Sequence, residues 1–496
     1  MRSQRHVASF QLPVSSFQLP SKESTMQLIA TLADEQIGRL QTKTTDLLAT
    51  VGLKVTHPEL LRLCRAAGAQ VDAEMGAVRF PPPLLHELLS AVPPTFDVCA
   101  ADGSRYTIGG GQYCTAIVTD PWIVDYETGR PMRPRLEDVR RHTIIAQKLP
   151  QVIAASLMDY PVAEFDGPAS SLHAFEAHAL HFAKHILVYA TDLAWFRRWL
   201  EVGEIIANGR SFPAPLMSAA VGVLSPLAVT DLNAEFLLLA CRLGMPVFPT
   251  VCPIAGMSSP YTLAGTLLAG NCELIGLAAL TQIVRRGHPF IYAFGPSVGD
   301  MRTGHDRYYT FDKVLWKAAS VQLARAYHMP VMAECGGSMT WRYDQQNGAE
   351  GILFMLAAAA SGADLLSGIG STMNAVGMSA EMMLIQTAWL EAARFLARGI
   401  VMDDDRLGDV NIAAVGPGGS FLTDDLTLRF LRREREFFVH ELLDYSGGPD
   451  AAPSLLERAH ERVEALARDA TSPHPDAVQE AIRKYFADQY RRAGTP

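Results

Sequence analysis

Two short stretches concentrate the side chains able to do chemistry. Residues 292–309 hold Tyr292, Phe294, Ser297, Asp300, Arg302, His305, Tyr308 and Tyr309; residues 334–344 hold Glu334, Cys335, Ser338, Trp341, Arg342, Tyr343 and Asp344. Each follows a short apolar run that reads as a buried strand, at 289–294 and 330–333. Thr250 and Cys252 follow a third such run, Ser367 and Ser371 a fourth. A carboxylate ending an apolar strand, as Glu334 does, either faces an enclosed space or is neutralised by a neighbour. Asp300 and Arg302 could instead pair with each other and hold their loop. Trp122 and Tyr126 fall in loops of the same kind, so aromatic side chains dominate this set. Aromatic faces attract a quaternary ammonium ion by roughly 2 kcal/mol each once water is excluded. Packing in a core or lid is the plainer role for any single ring. Three readings follow: an enzyme acting on a quaternary amine, a barrel lyase or aldolase with Glu334 or His305 as general base, and a non-catalytic protein that binds such an amine.

Other chemistries find little support. His178, His181 and His185 share roughly one helical face with His173 a turn earlier, but no carboxylate motif accompanies them, and Cys252 and Cys335 stand apart from any His or Cys cluster. No metal site is expected. Gly109–Gly111 lacks the spacing and strand–helix setting of a dinucleotide loop, and no Walker loop occurs. The net charge of −9 and the lack of a basic stripe argue against nucleic acid and anionic membrane as partners. Seven scattered cysteines without a CxxC pair fit a reduced, cytoplasmic chain.

The elements that must position these residues follow a βα rhythm. Apolar runs at 152–158, 185–190, 215–221, 246–251, 289–294, 330–333 and 363–366 alternate with helical stretches, and 411–415 is a candidate eighth strand. Seven or eight consecutive units predict a closed TIM (β/α)8 barrel with its chemistry on the loops after the strands. Residues 136–445 are assigned to the barrel, 26–135 to a mixed α/β extension packed on it, and 446–496 to a C-terminal helical tail. Residues 1–25 carry a repeated Ser-Phe-Gln-Leu-Pro and read as a disordered tail, with translation expected to start at Met26. Residues 243–272 form a run of 30 without one charge, and Pro246, Pro249, Pro253 and Pro260 forbid a single spanning helix. That run reads as strand, loop and buried helix, and as a dry wall beside the expected site.

Several segments in order resemble the trimethylamine methyltransferase (MttB-like) family, in particular non-pyrrolysine members similar to glycine betaine methyltransferase. They are 125–129 with 134–138, Asn271 to Glu273, Gln282 with 287–289, 299–304, 344–350 and 415–422. The resemblance covers roughly residues 27–445. Only standard residues occur in the sequence, which points away from the pyrrolysine-dependent trimethylamine enzymes and toward betaines. Ser420 stands where a bulkier polar residue is expected. The resemblance implies a TIM barrel and methyl transfer from a methylamine to Co(I) of a corrinoid carried on a separate protein, with no cofactor bound tightly by this chain and a homo-oligomeric assembly. Because a quaternary amine leaves as a neutral tertiary amine, the reaction needs no acid. The site must strip water, hold the cation and aim one methyl group. For that chemistry Glu334, His305 and Asp300 are the candidate catalytic residues. Phe294, Tyr308, Trp341, Tyr292, Ser338 and Arg302 are the candidate substrate-binding residues.

Overall fold

A computed structural model describes residues 29–493 apart from 73, 117–120, 434–435, 448–451 and 469. The expected tail at 1–25 and the proposed start at Met26 lie outside the described residues. Eight parallel strands follow one another around a ring: β1 Tyr113–Ala116, β2 Val152–Ala155, β3 His185–Val188, β4 Met217–Val223, β5 Val247–Val251, β6 Tyr292–Ala293, β7 Val331–Glu334 and β8 Leu365–Ser367. Pairing of β8 with β1 and a parallel bridge from Val247 to Phe290 close the ring. A helix follows each strand: α1 Leu136–Lys148, α2 Gly167–His181, α3 Leu193–Ala207, α4 Asp231–Leu243, α5 Leu263–Val284, α6 Asp312–Ala326, α7 Gln345–Ala360 and α8 Ala380–Arg398. The fold is a TIM barrel.

The expected eighth strand at 411–415 is corrected: Asp409–Val415 is a helix with no buried residue, and the missing strand is Tyr113–Ala116. A barrel strand is shielded on both faces. Cys114, Thr115 and Ala116 are buried, whereas Val410 and Ile412 face solvent. The other seven apolar runs all became strands, because each is short, apolar and framed by helix-forming sequence.

Side chains alternate between two cores. Ile153, Leu187, Phe248, Ile291, Met332 and Leu365 point inward and fill the barrel together with Phe96 and Val98. The latter belong to a hairpin of Phe96–Cys99 and Arg105–Ile108 that plugs the bottom, where Phe96 meets the Phe248 ring edge-on at 6.2 Å. The outward side chains pack under the helices.

Helix α5 explains the long uncharged run. The N-terminal helices Asp34–Thr50, Pro58–Ala66 and Pro82–Ser90 all pack over it. It is therefore buried between barrel and extension, with Thr266, Asn271, Glu273 and Gln282 inside. Among the described residues it is the one helix long and apolar enough to cross a membrane, and it lies in the core. The two C-terminal helices pack on their own barrel, Leu455–Arg468 against α8 and α1 and Asp476–Arg492 against α2 and α3. The histidines of α2 are packing residues: His173 stacks between Phe165 and Tyr490 of the last helix, and buried His178 packs against Phe182 and Trp199.

Candidate active site

A cavity of about 310 Å³ opens at the C-terminal ends of the strands. Its walls come from Tyr189 after β3, Thr250 and Cys252 around the end of β5, Phe294 after β6, Glu334 at the end of β7 and Ser367 at the end of β8, with Tyr308 and Tyr309 from the loop before α6. Strand alternation aims Met332 and Glu334 at this space, while Cys335 turns outward and donates to the Ser367 carbonyl at 3.2 Å.

Glu334 is the electrostatic centre. Its carboxylate accepts the Tyr308 hydroxyl and pairs with Lys313 Nζ at 2.8 Å and Lys317 Nζ at 3.2 Å. Both lysines are buried, and neither lines the cavity; Lys313 Nζ sits 2.9 Å from the centre of the Tyr308 ring. Burial alone would raise the Glu334 carboxyl, but the two ammonium groups and the Tyr308 hydrogen bond prevail and hold it down at about 2. Burial also lowers Lys313, to about 8, against the pull of Glu334. Glu334 is thus ionised at every physiological pH, with its countercharges behind it and its open edge, 18% exposed, toward the cavity.

Gly295 makes this approach possible: a β-carbon there would lie 2.8 Å from the Tyr308 hydroxyl and 3.1 Å from Cys252 Sγ. Gly337, at φ +104°, plays the same part for Tyr309, whose ring would lie 2.1 Å from a β-carbon. Across the mouth, Asn374 accepts from the Tyr308 N–H and donates to the Asp306 carbonyl, both at 2.7 Å. Met373, Asn374 and Ala375 all have positive φ, a strained run beside the cavity of the kind that accumulates at working sites.

Of the nine residues expected at the site, the cavity brings together Glu334, Phe294 and Tyr308. The other six lie elsewhere. Asp300, Arg302 and His305 sit in the exposed turn of a hairpin formed by Ser297–Gly299 and Asp306–Arg307, where Asp300 accepts the Arg302 N–H at 2.9 Å and pairs with Arg307. Sequence proximity to the strand end put them in the loop; the hairpin carries them beyond the cavity. Trp341 packs edge-on against Trp122 with ring centres 6.4 Å apart, on the outer rim. Tyr292 points outward from β6 into the core and donates to Asn271 Oδ1 at 2.9 Å. Ser338 is buried and accepts from Asn347 Nδ2 at 2.9 Å.

Lys313, Lys317 and Tyr189 escaped the sequence reading. The lysines are spaced i, i+4 in the Lys-Val-Leu-Trp-Lys-Ala-Ala stretch 313–319 of α6, a spacing that puts both on one face. Tyr189 lies inside the apolar run at 185–190, which marks it as strand and not as a site residue.

The whole chain has relatives of known activity. A model of the family described as trimethylamine methyltransferase (MTTB) matches residues 2–494. The chain belongs to the trimethylamine methyltransferase family. Members of this family are named methyltransferases. The trimethylamine methyltransferase of Desulfitobacterium hafniense strain DCB-2 is 24% identical over 92% of this chain and 93% of its own length. The glycine betaine methyltransferase of Desulfitobacterium hafniense strain Y51 is 24% identical over 93% of this chain and 98% of its own. Among solved structures, the monomethylamine methyltransferase of Methanosarcina barkeri covers 94% of this chain and 96% of its own at 15% identity and a TM-score of 0.46.

Proposed function

We propose that this family member demethylates a quaternary methylamine of the glycine betaine kind, passing one methyl group to Co(I) of a corrinoid on a partner protein. The observation carrying this reading is the placement of the Glu334 carboxylate, paired with Lys313 and Lys317, beside the rings of Tyr189, Phe294, Tyr308 and Tyr309 around one cavity. Rings and a carboxylate hold a methylated ammonium without needing a hydrogen bond from it. The leaving amine departs neutral, so the lack of a proton donor poised for it is no obstacle. Co(I) supplies the nucleophile; this chain supplies binding, orientation and exclusion of water. The rim suits a broad apolar face: Met257, Tyr261 and Met301 are exposed there, and a β-carbon on Gly256 would touch both Tyr261 and Met301. The seven cysteines are all free thiols, as a reducing cytoplasm maintains.

The lyase or aldolase reading loses its base. A carboxyl held at about 2 is a weak proton acceptor near neutral pH, and His305 lies on the exposed turn. Lys313 does have the lowered value of an activated amine, but the Tyr308 ring covers its nitrogen.

Calorimetric titration with glycine betaine, tetramethylammonium and a neutral tert-butyl analogue tests the cage. The cations are expected to bind and the neutral analogue to bind at least tenfold more weakly; equal affinities contradict the proposal. Affinity should also depend on pH. Below about 8 Lys313 is charged and sets a positive charge against Glu334; above it Lys313 is neutral and that opposing charge is gone. Cation affinity is therefore expected to rise severalfold between pH 7 and 9, at effective dielectric constants near 20, and Lys313→Met should flatten this profile.

A further inference from the structure

A second concavity, sharing no lining residue with the active-site cavity, opens between the N-terminal helix Asp34–Thr50, α5 and α6. Its volume of about 560 Å³ falls in the range of roughly 300–1,000 Å³ typical of small-molecule sites. Leu267, Trp316 and Ala319 form its floor, half-buried Leu32, Leu40 and Leu268 its walls, and Leu263 and Leu315 an exposed apolar rim. Hydrogen bonds hold this shape. Trp316 Nε1 donates to the Leu263 carbonyl at 2.9 Å. The Gln322 side chain accepts from the Thr31 and Leu32 N–H groups at 2.8 and 3.0 Å and donates to the Leu32 carbonyl at 2.8 Å. The Thr31 hydroxyl donates to the Leu315 carbonyl at 3.2 Å. The groove is therefore preformed, as ligand sites usually are.

Charge is segregated within it. Gln36, Arg39, Leu40 and Lys43 recur at i, i+3, i+4 and i+7, which is one stripe of the N-terminal helix, and all four line the groove. An amphipathic helix ordinarily turns apolar residues toward the protein and cations toward open water. Here two cations border an apolar groove, in a chain of net charge −9. Among the described residues no carboxylate pairs with Arg39, and Lys43 meets Asp46 of its own helix at 3.9 Å. The side built by α5 and α6 contributes no charged residue to the lining. A complementary occupant has an anionic head for Arg39 and Lys43 and a hydrocarbon body for the opposite side. The floor is recessed, its three residues being 2–4% exposed, so a flat bilayer meets the rim alone while a single chain reaches the floor.

We infer that this groove binds a long-chain carboxylate, its head on Arg39 and Lys43 and its chain over Leu267, Trp316 and Ala319. Calorimetric titration of the full chain with dodecanoate, kept below its micellar concentration, tests this. One saturable event per chain is expected. Dodecylammonium should bind at least about tenfold more weakly, its charge being opposed. Hexanoate should bind at least about 100-fold more weakly, since each buried methylene adds affinity. Arg39→Glu/Lys43→Glu and, separately, Leu315→Asp alter exposed positions, so circular dichroism should not change. Each should nevertheless weaken dodecanoate binding at least about tenfold. Lys54→Glu, an exposed cation elsewhere in the N-terminal extension, should leave it unchanged. Absence of saturable binding by the wild-type chain overturns the inference, as does equal binding of dodecylammonium or undiminished binding by both groove variants. Displacement of dodecanoate by tetramethylammonium would place it in the active-site cavity and also overturns it, as does binding to acidic vesicles without binding of monomeric dodecanoate.

Discussion

Replacing Glu334 with glutamine is expected to be the most damaging single change in the cavity. The carboxylate balances Lys313 and Lys317, both buried, and an amide leaves those ammonium groups without a countercharge. Breaking a buried ion pair from one side costs about 3–5 kcal/mol, so the denaturation midpoint should fall clearly. The cavity also changes from a carboxylate-faced to a cation-backed space. At effective dielectric constants near 20, losing one charge contact at about 4 Å corresponds to about 4 kcal/mol as an upper figure. A loss of 100-fold or more in kcat/KM for a quaternary amine is expected, with Glu334→Asp retaining more activity than Glu334→Gln. The pH dependence of stability has a definite sign. Because the Glu334 carboxyl is depressed from 4.5 to about 2, its contribution is fully present above 4.5 and is lost as pH falls toward 2. Acid unfolding of Glu334→Gln should lack that component. Wild-type stability and activity in Glu334→Gln would contradict this role.

Phe294→Ala is the second large effect. The Phe294 ring is buried, lines the cavity and lies so close to Gly270 of α5 that a β-carbon there would come within 2.1 Å of it. Truncation should therefore cost about 3–5 kcal/mol of stability, measured by chemical denaturation. Phe294→Leu separates packing from the cation contact. It keeps apolar volume, so stability should change by less than about 1.5 kcal/mol. Removing one aromatic face should nevertheless weaken quaternary-amine binding by about 0.5–2 kcal/mol, roughly 2- to 30-fold, while leaving binding of the neutral tert-butyl analogue unchanged. Equal losses for both ligands would make Phe294 a packing residue alone.

The barrel was legible because its strands are short, apolar and regularly spaced; the exception is instructive. Tyr113–Ala116 follows a glycine turn and carries only one large side chain, so it resembles loop, and its membership depends on pairing with β8, far along the chain. The run at 411–415 shows the converse: local apolarity without a second shielding face does not make a barrel strand. At the site, a strand-end rule found Glu334 and Phe294 because strand direction fixes where they point. It failed for Asp300 and His305, since a three-residue strand extends their loop into a hairpin. It could not reveal Lys313 and Lys317, which enter from a helix and matter only because they converge on Glu334. The segments that carried the family resemblance are partly architectural. Asn271 joins Thr44 to Tyr292, Glu273 accepts from Ser225 and Leu227, and Gln282 holds the turn at Gly287 and His288. Such buried polar residues fix how α5 sits under the N-terminal extension.

The central claim is tested most directly by methyl transfer itself. The purified chain, a corrinoid protein reduced to Co(I) and glycine betaine labelled in its methyl groups should yield labelled methyl on the corrinoid together with one equivalent of dimethylglycine, and Glu334→Gln should yield at least 100-fold less. Absence of label on the corrinoid with glycine betaine and across a panel of other quaternary amines, using protein whose fold is verified, would contradict the account.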